Sequence, residues 1–83
     1  MASYEVRISP EAKAGLEVLP GRIAAAAINY IRTHLRSAPE RAGVEMRGTL
    51  KGTFVAKRGQ YRIVYRIDEP AGFVDVLQIL AQF

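Results

Sequence analysis

Two alternating runs, Thr53–Arg58 and Tyr61–Asp68, are separated only by Gly59-Gln60, and this constrains the fold more than any other feature of the chain. Alternation at period two is a strand signal. A Gly-X pair between two such runs predicts a two-residue hairpin turn with glycine at the first central position. That turn sets the register: Arg58 faces Tyr61, Ala56 faces Ile63 and Phe54 faces Tyr65. Directly opposed residues project to the same side of a sheet. Phe54, Ala56, Ile63, Tyr65 and Ile67 therefore make an apolar face, expected to receive helices. Thr53, Val55, Lys57, Arg62, Val64 and Arg66 make the other, with Lys57 across from Arg62.

Charge in this region is one-sided. No acid lies between Glu45 and Asp68, and six of the chain's 12 Lys and Arg fall within Arg47–Arg66. Like charges directly opposite destabilise a strand pair. Broken local rules tend to mark functional surface. A solvated sheet face is the plain reading of basic strand residues, but the lack of any acid over the whole stretch favours a binding face. An unneutralised cationic hairpin suits a polyanion, RNA or DNA, and would also suit an acidic protein.

The rest of the chain builds a scaffold. Tyr4–Ile8 alternates as a half-buried strand. Ser9-Pro10-Glu11 then opens a helix: Ser9 can cap free N–H groups, Pro10 suits the first position and Glu11 the positive end of the dipole. Ala12, Leu16 and Leu19 lie along one side of it. After Pro20 a longer helix is expected over about Gly21 to Arg36, with Ile23, Ala27, Ile28, Ile31 and Leu35 as its apolar stripe. The small run Ala24–Ala27 suits close packing. A loop is expected from Ser37 to about Gly48. Pro70-Ala71-Gly72 makes a turn, and the mostly apolar Phe73–Leu80 reads as a central strand covered on both faces. The fold class is α+β: an N-terminal strand, a two-helix hairpin, then a mainly antiparallel sheet of three further strands with the helices on one face. At 83 residues, with no repeat or linker, this is one domain spanning 1–83.

Composition narrows the chemistry. There is no cysteine, hence no disulfide, thiolate metal site or Cys nucleophile. His34 is the only histidine, and the acids form no convincing metal cluster, so no cofactor or metal is expected. No apolar run approaches the roughly 18 residues of a membrane span. The N-terminal stretch lacks the apolar centre of a signal peptide. A soluble, cytoplasmic protein without a membrane partner is expected. Tyr4, Tyr30, Tyr61 and Tyr65 read as packing residues, and His34 as an exposed residue near a helix end.

The segments Met46-Arg47-Gly48, Leu50-Lys51-Gly52 and Lys57-Arg58-Gly59-Gln60-Tyr61-Arg62-Ile63-Val64-Tyr65 resemble a known pattern. It is that of the RelE/ParE toxin superfamily of bacterial and archaeal toxin–antitoxin systems: an L-x-G turn, a second Gly, then R-x-G-x-Y-R-hydrophobic-hydrophobic-Y. Lys57 stands where the pattern usually has Arg, and Gln60 where Asp is common. Val6-x-Ile8, Ala12, Leu16, Leu19-Pro20 and the Ala/Ile-rich helix extend the resemblance over nearly the whole chain.

The resemblance implies a RelE-like fold and a small cytoplasmic toxin. It implies a cognate antitoxin with an acidic amphipathic segment, and a toxin–antitoxin complex that binds operator DNA through the antitoxin. RelE-like members cleave mRNA on the ribosome, while ParE-like members inhibit DNA gyrase. RelE-like cleavage uses the ribose 2′-OH, so it needs no metal. It does need a proton acceptor, cations for the developing phosphorane charge and a donor for the leaving oxygen. The resemblance assigns phosphate stabilisation to Arg62, and phosphate contact or proton transfer to Lys57 and Arg58. Arg47, Lys51 and Arg66 extend the RNA-binding strip. The chain departs from RelE-like toxins at Thr53 and Val55, which replace basic residues beside Phe54. It departs again at Leu80-Ala81-Gln82-Phe83, where an Arg is usual. Three readings follow: an endoribonuclease with a reduced catalytic set, a gyrase inhibitor, or a degenerate member that only binds antitoxin or nucleic acid.

Overall fold

The computed structural model describes residues 3–82; Phe83, part of the last segment compared above, lies outside them. The elements are β1 (Glu5–Ile8), α1 (Pro10–Val18), α2 (Gly21–Tyr30), a π-helical turn (Ile31–Leu35) that continues it, a one-turn α3 (Pro39–Ala42), β2 (Val44–Glu45), β3 (Thr53–Arg58), β4 (Tyr61–Asp68) and β5 (Phe73–Ala81). The strands form one five-stranded sheet in the order β1-β5-β4-β3-β2. β1 runs parallel to β5, and every other pair is antiparallel. Among the described residues, no helix is long and apolar enough to cross a membrane.

The hairpin forms in the register its turn dictates: Arg58 pairs with Tyr61, Lys57 with Arg62, Ala56 with Ile63 and Phe54 with Tyr65. Gly59 takes φ +57°, the left-handed conformation that a glycine accepts at the first central position without steric cost. At the start of α1, the Ser9 hydroxyl accepts the Ala12 N–H at 3.0 Å and donates to the Leu77 carbonyl at 2.8 Å. One side chain thus caps the helix and ties it to β5. Gly15 lies against the Ile79 carbonyl so closely that a Cβ would not fit, which seats α1 directly on β5.

The core sits between the helices and one sheet face. Ala12, Leu19, Ala27, Tyr30, Ile31 and Leu35 meet Ala56, Tyr61, Ile63, Tyr65, Val74, Val76 and Ile79. Each fully buried aliphatic such as Leu35 or Ile63 contributes about 1.5–3 kcal/mol relative to its exposed state. Ile28, expected in the apolar stripe, is instead 41% exposed. Thr53, expected on the open face, is buried.

Two expectations are corrected. The segment read as a loop up to Gly48 contains α3 and β2, which raises the sheet from four strands to five. Elements of four and two residues are too short to show a period; β2 exists because Val44 and Glu45 pair with Val55 and Phe54. β5, read as a central strand covered on both faces, lies second from the sheet edge between β1 and β4 and is covered on one face only. Val74, Val76 and Ile79 are buried while Gln78 is exposed. Val64 pairs with Gln78 but Tyr65 with Val76, so Leu77 is an extra residue, a bulge that shifts the inward set by one position. The shift accounts for the unbroken apolar reading.

Candidate nucleic-acid interface

β3 and β4 bring Lys57 and Arg62 together as direct cross-strand partners on the face away from the helices. Lys57 is exposed, and Arg62 is half-buried with a buried Nε that has no hydrogen-bond partner. Beyond β3, β2 places Val44 opposite Val55. α3 contributes Arg41, and the chain leaving β2 contributes Met46 and Arg47. Arg41, Arg47, Lys57 and Arg62 line one groove of about 690 Å³, with Val44, Met46 and Val55 as its apolar part.

Glu45 also lines the groove but forms no ion pair with its cations. It pairs with Phe54, whose ring stacks on Tyr65, and its carboxylate accepts the Gly52 N–H at 3.0 Å. The one ion pair among the described residues joins Arg7 to Asp75 at 2.6 Å, on β1 and β5. The four groove cations therefore outnumber the one lining acid and have no ion-pair partner among the described residues, which makes the groove an attractive site for anions.

The groove is held from the core. Tyr65 donates its hydroxyl to the Pro39 carbonyl at 2.7 Å, and Tyr30 donates to the Ala42 carbonyl at 2.8 Å. Burial pushes the pKa of both phenols upward, so both remain protonated donors at neutral pH.

The residues singled out in the sequence fall into separate places. Arg62, Lys57 and Arg47 share the groove. Arg58 does not join them: opposite Tyr61, it points to the helix side, and its guanidinium lies 5.2 Å from the Tyr30 ring centre. Successive strand residues face opposite ways, so Lys57 and Arg58 cannot both face one groove directly. Arg66 lines another hollow with Asp68, Glu69 and Asp75. Lys51 follows the turn Gly48–Leu50 and is not part of the groove lining. Sequence reasoning missed Arg41, Val44 and Met46. The Pro39-Glu40 helix-start signal was available for Arg41, but the groove itself depends on tertiary pairing. His34 stacks on Tyr30 with ring centres 4.8 Å apart and lies 2.8 Å from the Thr33 hydroxyl through Nδ1. Tyr4, read as a packing residue, donates its hydroxyl to Glu69 at 2.7 Å. Among the described residues, no group of three or more His, Asp or Glu side chains comes together to hold a metal.

Known proteins share both sequence and fold with this chain. The family described as ParE toxin of type II toxin–antitoxin system, parDE, matches residues 6–82. Toxin RelG of Mycobacterium tuberculosis is 41% identical over 76 residues, covering 92% of this chain and 87% of that protein. Toxin RelE of the same organism is 38% identical over 76 residues, covering 92% and 78%. A chain of the toxin–antitoxin complex RelBE2 from M. tuberculosis superposes with a TM-score of 0.93 at 38% identity, covering 98% of this chain and 100% of that one. The isolated RelE toxin of E. coli superposes with a TM-score of 0.77 at 18% identity, covering 96% and 85%, and shows the common fold. The chain belongs to the RelE/ParE family of type II toxin–antitoxin toxins.

Proposed function

We propose that this toxin is a metal-independent endoribonuclease that cuts mRNA on the ribosome. The observation that carries the reading is the groove in which the unpartnered Arg62 Nε stands with Arg41, Arg47 and Lys57, unopposed by any ion-paired acid. In this reading an RNA phosphate lies across the cations. The neighbouring ribose 2′-OH attacks phosphorus, the bond to the 5′-oxygen breaks, and a 2′,3′-cyclic phosphate and a 5′-OH end result. Arg62 and Arg41 stabilise the charge that grows on the phosphorane oxygens, the kind of stabilisation that dominates many enzymatic barriers. Lys57 donates to the leaving oxygen. In this reading the 2′-OH proton passes to water or to a ribosomal group.

The reading also carries a partner and a place. Related toxins are found in complexes with RelB, as in RelBE2 of M. tuberculosis and the RelE–RelB complex of Pyrococcus horikoshii. A cognate antitoxin with an acidic, amphipathic segment suits the exposed Val44 and Met46 beside the groove cations. The pair would act in the cytoplasm, with operator DNA bound through the antitoxin.

The ParE family match, together with the uncharged Thr53 and Val55, favours a second reading as a gyrase inhibitor. Primer extension on a reporter mRNA after induction of the chain, beside an Arg62→Ala control, separates the readings. Cuts within translated codons that vanish in the control support the endoribonuclease. Growth arrest with intact mRNA and relaxed or cleaved DNA supports gyrase as target. Neither effect points to a toxin that keeps only its binding role.

A further inference from the structure

Arg41 reaches the groove on a segment that has little of its own to hold it. α3 is a single turn, and its N-cap, Ala38, offers no side-chain hydrogen bond. A helix this short does not persist in isolation. Its carbonyls are answered instead from the core, Pro39 by the Tyr65 hydroxyl and Ala42 by that of Tyr30. Both tyrosines are almost fully buried. Gly43 adds a third, independent sign of this contact. A Cβ built there would lie 2.6 Å from the Tyr65 hydroxyl and 2.6 Å from the Val55 carbonyl oxygen. The backbone after α3 therefore rests directly on the phenol before it enters β2.

β4 couples this to the groove. Arg62 faces the open side of the strand, and Tyr65, three positions on, faces the helices. One strand thus carries one cation directly and holds, through a hydroxyl on its other face, the turn that carries another. We propose that Tyr65 and Tyr30 are positioning residues of the groove: their hydrogen bonds to Pro39 and Ala42 fix Arg41 beside Arg62, so that both cations engage one stretch of single-stranded RNA backbone. Neither tyrosine touches the RNA. This inference rests on the RNA reading of the groove.

The test uses the full chain with Tyr65→Phe, Tyr30→Phe and Arg41→Ala, singly and combined, and a short oligouridylate blocked at its 2′ positions as the probe. Binding is followed by fluorescence anisotropy across a series of salt concentrations. For single strands, log K falls against log salt with a slope of about −0.7 per phosphate contact. Tyr65→Phe should weaken binding and shallow the slope by about one contact, as Arg41→Ala does. The two changes together should do no more than Arg41→Ala alone, the mark of residues acting as one unit. A tyrosine serving only the core would leave the slope unchanged or add fully to Arg41→Ala, and either result would overturn the proposal.

Amide hydrogen exchange gives a second reading that needs no RNA. Faster exchange should be confined to Arg41–Glu45, with β4 and β5 as in the parent chain. A uniform rise across the sheet would count against positioning. If the parent chain fails to bind the oligouridylate, the RNA reading of the groove fails, and exchange alone then decides whether the tyrosines hold this segment. Should Tyr65→Phe not fold, Tyr30→Phe carries the same comparison.

Discussion

Lys57 and Arg62 are direct partners across the β3–β4 ladder, like charges in a position where strands are stabilised by opposite ones. Among the described residues no ion pair relieves them, and the Arg62 Nε is left without a partner. On the proposed RNA reading, the groove uses both charges on one surface. That reading sets stability against function at this pair, and each can be measured.

Lys57→Glu converts the repulsion into attraction. Unfolding in urea should show a gain of about 0.2–1 kcal/mol, while affinity for RNA falls. A chain that loses stability on this change would show that the pair is not in conflict.

Arg62→Ala should leave the fold intact and relieve toxicity, with cleavage down by about 10²–10³-fold, the usual loss of one transition-state donor. Growth assays and primer extension check it. A folded variant that remains fully toxic removes Arg62 from the site.

Arg58 separates geometry from sequence proximity. Its guanidinium lies over Tyr30, away from the groove. Arg58→Ala should cost about 0.5–1 kcal/mol in stability through the lost ring contact, with RNA affinity nearly unchanged. Equal losses of affinity for Arg58→Ala and Arg41→Ala would contradict the division of cations described here.

Gly43→Ala brings a methyl group against the Tyr65 hydroxyl and the Val55 carbonyl. Overpacking of this kind costs about 1–3 kcal/mol. Denaturant titration should find the loss. If stability is unchanged, the backbone at Gly43 has room that the close approach denies.

High pH should unfold the protein within a defined window. The Tyr4 phenol is pushed up to about 12, first by its hydrogen bond to Glu69 and then by burial. Tyr30, Tyr61 and Tyr65 are pushed up chiefly by burial. A phenol with a higher pKa folded than unfolded contributes stability that is fully present below the unfolded value, about 10. That contribution is lost as pH rises through the folded value. Circular dichroism should stay flat to about pH 10, then fall as tyrosinate absorbance rises. Tyrosinate appearing near pH 10 in a chain that stays folded would contradict these shifts.

Much of the fold was legible because local rules agree with one another. Gly59-Gln60 fixes a register that no later contact has to correct, and Ser9-Pro10 marks where α1 begins. The candidate site was legible only in part. Lys57, Arg62 and Arg47 were visible as unneutralised charge, but alternation alone sends Arg58 to the other face. Arg41 was not visible, because Pro39–Glu45 takes its shape from tyrosine hydroxyls and from the edge of β3, which are distant in sequence. Nor was the bulge at Leu77 visible, since an apolar residue fits either face of a strand.

The parallel pairing of β1 with β5 has a consequence in time. Arg7 and Asp75, bridged across these strands, are 68 positions apart. Among the described residues β1 finds its one sheet neighbour in β5, and α1 rests on that same strand. Contacts of such long range close late. During synthesis the hairpin can form, but its backing layer has no anchor until β5 has emerged. On the RNA reading, the nascent chain would gain a rigid groove only once β5 has left the ribosome and joined β1.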